Sequence, residues 1–251
     1  MAIIVKSDDE IAVMREAGKI VGETLQLLVD RLRPGLVEKE LDDLVRKEFK
    51  KRNVIPTFLG YANPPYPATV CVSINDEIVH GIPGEREIAD GDIVSMDLGC
   101  THKGFVADSA LTVGVGNVSP EAQRLIDTTK ESLWRGIRAA RAGARVGEIG
   151  LAVQSYAEGQ GYSVVREYVG HGVGRAMHED PQIPNYGPAD RGPVLRAGMV
   201  IAIEPMVNIG DWRTRKDPDN WTVRTADGSL SAHFEHTLAI TDGEAEVLTL
   251  P

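Results

Sequence analysis

After Ser7-Asp-Asp-Glu10, apolar residues recur three, four or seven positions apart. Ile11, Met14, Val21, Leu25, Leu28 and Leu32 form this series, and the spacing predicts an amphipathic helix ending at Arg33-Pro34-Gly35. Ser7 and Glu10 stand at capping-box separation, which sets the start of the helix. A second apolar stripe, Leu41, Leu44, Val45 and Phe49, lies among charged residues and predicts a helix up to about Asn53. Pro64, Pro65 and Pro67 then mark an irregular loop. From Ala68 to Val79 the chain is rich in β-formers and reaches a turn at Gly81-Ile-Pro-Gly84. Asp92 to Leu98 and Phe105 to Val113 follow as two strands around a glycine-bearing loop and predict a hairpin.

The same order begins again at Ser119-Pro120-Glu121, a helix start with a serine cap and a proline in the first turn. Leu125, Thr129, Leu133, Ile137 and Ala140 carry the face of that helix. Val146 to Glu158 predicts a partner helix stopped by Gly159 and Gly161. Ser163 to Val169, Met199 to Val207 and Ser231 to Thr241 read as strands. Gly91-Asp-Ile-Val-Ser-Met-Asp97 and Gly198-Met-Val-Ile-Ala-Ile-Glu204 each run from a turn glycine through an apolar strand to an acid. His80 and His171 precede those strands in their respective halves. One domain with an internal pseudo-repeat, about 7–113 and 119–241, is therefore expected, its equivalent strands meeting about a pseudo-twofold axis.

That arrangement makes the acids the informative residues. Asp97 shares a strand face with Ser95 and Ile93, and Asp108 shares one with Val106 and Ala110, so pairing would make the two carboxylates neighbours. Unpartnered carboxylates that close cannot both stay ionised in a dry interior, so something cationic should sit between them. Glu204, Glu235 and His171, the last flanked by glycines, offer further donors. Four carboxylates with one imidazole suit a pair of divalent ions such as Mn, Fe, Co or Zn, whereas oxygen donors alone would suggest Ca or Mg. Taken singly, Asp97, Asp108 and Glu204 read as caps or turn acids, and His171 as a loop histidine. Their joint placement in apolar strands is what points to a site.

Composition narrows the rest. With 251 residues, 42% of them hydrophobic, the chain can bury a sizeable core. The start, MAIIVKSDDE, has too short an apolar run for a signal peptide, and no run approaches the roughly 18 residues of a membrane span. A cytoplasmic protein without a membrane partner is expected. Cys71 and Cys100 form no disulfide framework, which fits a reducing compartment. The 37 acids against 27 scattered bases, a net charge of −10, argue against a nucleic-acid partner.

The run Tyr168-Val-Gly-His-Gly-Val-Gly-Arg-Ala-Met-His178-Glu-Asp-Pro-Gln-Ile-Pro-Asn-Tyr186 closely resembles the signature of type I methionine aminopeptidases, as does the order Asp97, Asp108, His171, Glu204, Glu235. The resemblance implies an α+β pita-bread fold with two pseudo-symmetric αβ halves, a curved antiparallel sheet and outer helices. It implies two divalent ions, drawn from Co, Mn, Fe, Zn and Ni. Asp97 would ligate one, Asp108 and Glu235 would bridge both, and His171 and Glu204 would ligate the other. Catalysis would fall to His80, beside the reacting bond, to His178, polarising the carbonyl oxygen, and to Glu204, relaying a proton. The substrate pocket would consist of Phe58, Tyr61, Tyr66, Cys71, His80, Met177, His178 and Trp221, although Cys71 and Trp221 read equally as core. Met177 stands where an aromatic is usual. Asn75 and Ser231 resemble positions that hold a monovalent cation. The implied substrates are the N-terminal Met peptides of nascent polypeptides at the ribosome, and a monomer is expected. By the same rule Met1-Ala2 would itself be a permitted substrate.

Overall fold

A computed structural model describes residues 2–251; Met1, and with it the expectation about Met1-Ala2, lies outside them. The chain runs α1 (Asp8–Val29), α2 (Glu38–Arg52), β1 (Ile55–Pro56), β2 (Cys71–Ile74), β3 (Glu77–Val79), β4 (Ile93–His102) and β5 (Phe105–Gly114). It then repeats two helices before strands: α3 (Pro120–Ala139), α4 (Val146–Gly159), β6 (Ser163–Val164), β7 (Gly170–Gly172), β8 (Glu179–Ile183), β9 (Val200–Ile203) and β10 (Met206–Asn208). The last strands are β11 (Thr214–Lys216), β12 (Val223–Thr225), β13 (Ser231–His233), β14 (Glu235–Ala239) and β15 (Glu246–Val247).

The capping box forms as expected, with the Ser7 N–H donating to Glu10 Oε2 at 3.0 Å and the Glu10 N–H to Ser7 Oγ at 3.3 Å. The first helix, however, stops at Val29 rather than at Arg33. Pro34 disfavours helical backbone at the residue before it, and the chain unwinds through a turn at Asp30 and Arg31. The second helix ends as expected at Asn53, in left-handed conformation (φ 55°).

The main sheet has the order β1-β4-β5-β14-β9-β7-β8, with β2 also on β4 and β15 also on β14. Read outward from the β5–β14 pair, β4 answers β9 and β2 answers β7. Helices cover one face. Val94, Met96 and Leu98 of β4 pack against α1 and α2, while Ile201, Ile203 and Leu238 of β9 and β14 pack against α3 and α4. The alternate residues of the same strands face the other side, which leaves that side for polar chemistry.

Three predicted strands are shorter or broken. Met199–Val207 splits into β9 and β10 around Glu204-Pro205, because proline cannot donate to a ladder. Ser231–Thr241 splits into β13 and β14 at Phe234, where the chain leaves one sheet for the other. Ser163–Val169 keeps only Ser163–Val164 in a ladder, paired with Val207 and Asn208. The charged stretch Asp211–Asn220 contains β11 paired with β12.

Candidate metal centre and substrate cleft

Register places the acids. Asp97 on β4 stands opposite Ala110 on β5, and Ala110 stands opposite Glu235 on β14. His236 is opposite Ile203, so Glu204, the next residue on, continues the row beside Glu235. A parallel row two residues along holds Gly99 opposite Asp108, Ala202 opposite Thr237, and His171 next to Gly172, which faces Ile201. Thr237 ties that row together: its Oγ1 accepts from the Asp108 N–H at 3.1 Å and donates to the Asp108 carbonyl at 2.7 Å. Small residues alternate with donors. A Cβ on Gly99 would come within 3.3 Å of Asp108 Oδ1 and 3.1 Å of the Phe58 ring, so glycine there makes room for the carboxylate.

Among the described residues, Asp108, His171 and Glu235 present donor atoms that all lie within 4.8 Å of one another. Glu204 Oε1 is 3.4 Å from His171 Nε2, and the Asp97 carboxyl adjoins that of Asp108. The His171 Nδ1 hydrogen-bonds the Gly172 carbonyl at 3.0 Å, which puts its proton there and turns a bare Nε2 toward the acids. Asp97 Oδ1, Asp108 Oδ1 and Glu235 Oε1 are buried without a hydrogen-bond partner. Buried carboxylate oxygens are rarely left so, and a divalent cation would satisfy all three. The residues fit a metal.

Electrostatics agree with that fit. Burial, and then mutual repulsion, pushes Asp97, Glu204 and Glu235 well above the usual carboxylate range. Asp108 is pushed up to about 7 by burial, against the pull of hydrogen bonds from Asp97 and Ser109. His171 falls to about 3, chiefly through burial and then through the neighbouring His178. A neutral imidazole is the form that ligates metal.

A cavity of about 120 Å³ opens beside these donors, and its wall contains every residue expected in the pocket: Phe58, Tyr61, Tyr66, Cys71, Met177 and Trp221, with His80 and His178 at the polar end. Tyr66 is fixed by donating to the Gly81 carbonyl at 2.8 Å, and its ring meets Trp221 edge-on at 5.0 Å. Cys71 stands opposite Asp97, and burial raises its thiol well above the ordinary value, so it contributes an apolar surface rather than a nucleophile. His80, in left-handed backbone (φ 61°), is depressed to about 4 by burial. His178 Nδ1 lies 2.6 Å from the Tyr61 hydroxyl, and its ring is 4.3 Å from that of His171. His178 directly precedes β8, in the bend after β7.

The model of metallopeptidase family M24 matches residues 12–242. The chain belongs to this family. It is 50% identical over 248 residues to the methionine aminopeptidase of Clostridium perfringens, covering 99% of each, and 50% identical over 247 residues to methionine aminopeptidase 1 of Bacillus subtilis. The crystal structure of the methionine aminopeptidase of Thermotoga maritima superposes with a TM-score of 0.97 at 44% identity, with 100% of both chains covered. The prolidase of Pyrococcus furiosus, 23% identical with a TM-score of 0.79, shares the fold alone. The α+β pita-bread architecture and the resemblance to type I methionine aminopeptidases are thus borne out, and metal use comes with M24 membership.

Within this M24 chain the structure adds residues that the patterning left unassigned. His233 is buried with its Nε2 unpartnered, 4.0 Å from Glu204 Oε2. Tyr168 packs its ring edge-on to His80 at 5.9 Å. His236, the other histidine flanking Glu235, points to the opposite face and bonds Thr249 Oγ1 at 2.8 Å. Strand parity could have separated these two histidines once Phe234 was known to end a strand. His102 Nε2 lies 2.9 Å from Glu16 Oε2. Asn75 and Ser231 do adjoin, the Ser231 N–H donating to the Asn75 carbonyl at 2.9 Å.

Proposed function

We propose that this chain is a methionine aminopeptidase, removing the N-terminal methionine from nascent proteins by hydrolysis of the first peptide bond. The observation that carries the reading is the joining of two features on one sheet face: unpartnered buried carboxylate oxygens around His171, and a small apolar wall with sulfur and aromatic groups directly beside them. Asp97, Asp108, His171, Glu204 and Glu235 are the residues that would hold two divalent ions. When bound, such ions supply Lewis acidity that lowers the pKa of water and favours charge developing on a carbonyl oxygen.

The chain's own residues do the rest. Phe58, Tyr66, Cys71, Met177 and Trp221 accept the unbranched thioether, whose sulfur gains from aromatic edges. Glu204, held among buried acids with a raised affinity for protons, takes a proton from the attacking water and passes it to the departing amine. The Tyr61 hydroxyl donates to His178 Nδ1, which leaves the His178 proton on Nε2 to bond the scissile carbonyl oxygen. His80, neutral through burial, lines the same cavity and would contact the substrate beside the reacting bond.

The same reading makes residues 1–251 one catalytic domain with an internal repeat, acting as a cytoplasmic monomer on chains emerging from the ribosome, with a monovalent cation beside Asn75 and Ser231. Metal content by mass spectrometry, measured together with hydrolysis of Met-Ala-Ser and of an Xaa-Pro peptide, tests it. Two divalent ions per chain and cleavage of Met-Ala-Ser alone are expected. Cleavage of the Xaa-Pro peptide instead would assign the site to the activity named for the prolidases that share this fold.

A further inference from the structure

Residues 175–178, which carry Met177 and His178 into the cleft, belong to no strand. One anchor of the bend is a buried side chain. Glu179 Oε1 accepts from the Arg175 N–H at 2.8 Å and the Ala176 N–H at 3.2 Å, and the carboxylate lies against Gly174, where a Cβ would collide with it. The other oxygen, Oε2, is 2.8 Å from Lys6 Nζ, 173 residues away in sequence. Both partners are almost wholly enclosed, with 3% and 9% of their side chains exposed. Lys6 is itself fixed, since its backbone N–H donates to the Gly198 carbonyl at 2.8 Å in the turn that leads into β9 and Glu204.

Burying an ammonium costs more than a surface ion pair returns, so such a pair is weak support for stability and is better explained by the conformation it selects. Here the selected conformation is the bend holding His178. We infer that Lys6 and Glu179 form a positioning clamp, in which the lysine orients the carboxylate and the carboxylate sets the backbone that places Met177 and His178 opposite the substrate.

Only the kinetic arm of the test rests on the peptidase reading. Lys6→Met, Lys6→Arg, Glu179→Gln and the Lys6→Met/Glu179→Gln double variant are compared with the parent by hydrogen exchange of the Arg175 and Ala176 amides and by Met-Ala-Ser hydrolysis. Lys6→Met is expected to speed exchange at both amides and to lower kcat/KM by roughly ten- to a hundredfold, because small misplacements of a positioning group cost that much. Zinc affinity measured by calorimetry should stay unchanged, Lys6→Arg should restore most of the rate, and the double variant should be no worse than the poorer single. Unchanged exchange, kcat/KM within twofold of the parent, additive losses, or failure of Lys6→Met to fold would each overturn the clamp. An inert parent would overturn the peptidase reading, while the exchange comparison would still decide the clamp.

Discussion

The two halves of the central sheet solve one problem in different ways. β4 and β5 pair over ten consecutive positions, from Ile93 opposite Gly114 to His102 opposite Phe105, around the tight turn at Lys103 and Gly104. β9 and β14 pair over only four, and each ends beside a donor, β9 just before Glu204-Pro205 and β14 just after Phe234. The first half holds Asp97 and Asp108 by an unbroken ladder. The second releases the backbone beside its donors and secures them through side chains, as where Asn185 Nδ2 donates to the Glu204 carbonyl at 3.0 Å. Rigidity of a ligand set therefore does not require regular backbone.

The sharpest test of equivalence removes one donor from each half. Asp108→Asn and His171→Ala should each lower Met-Ala-Ser turnover with added metal by roughly 10²–10³-fold or more while circular dichroism stays unchanged. A large loss for only one of them would make the other half a scaffold.

Next in size is a pH effect on the metal-free protein. Asp108 sits at about 7 in the fold and near 4 when unfolded, so the folded state binds more protons between those values. Stability from this group is present below about pH 4 and lost as pH rises through about 7. Asp108→Asn should then stabilise the metal-free chain at pH 8, by on the order of 4 kcal/mol at most. The buried histidines act with the opposite sign. His171, near 3 in the fold, is neutral where the unfolded chain would be protonated, so its contribution is lost as pH falls below about 6.5. Urea melts of chelated protein from pH 5 to pH 8, with and without the substitution, separate the two. A substitution that destabilises at pH 8 would contradict the burial cost assigned to the Asp108 carboxylate.

Smaller still are two changes inside the hairpin. Ala110 lies between Asp97 and Glu235 and is buried, so Ala110→Leu should cost about 1–3 kcal/mol by overpacking and also abolish metal binding in calorimetry. Gly104, at φ 83°, would bring an added Cβ only into ordinary contact with Arg175 Nη1 at 3.6 Å but has left-handed backbone, so Gly104→Ala should cost about 1 kcal/mol in denaturant melts and leave metal affinity untouched. The pair distinguishes a residue that spaces donors from one that merely turns the chain.

The same contrast between halves explains what was legible in the sequence. The β4–β5 hairpin could be read because its alternation is long and its apolar face continuous, and the capping box at Ser7 marked α1 because its polar residues bond locally. The breaks at Glu204-Pro205 and Phe234 could not be read from hydrophobicity, which runs through both. Gly170-His171-Gly172 has no alternation at all, and its strand exists only because β8 and β9 flank it. His171 was found through its motif rather than its element. Lys6 and Glu179 left no local trace, since what joins them is a contact across 173 residues.

The alternation of contributors along the two rows also sets an order of assembly during synthesis. Asp97 and Asp108 are made early and lie on a hairpin that can close by itself, yet Glu235 inserts against that hairpin only after more than a hundred further residues have been added. A half-made chain thus offers Asp97 and Asp108 without His171, Glu204 or Glu235, a poor trap for transition ions, and full affinity is withheld until the final strands dock.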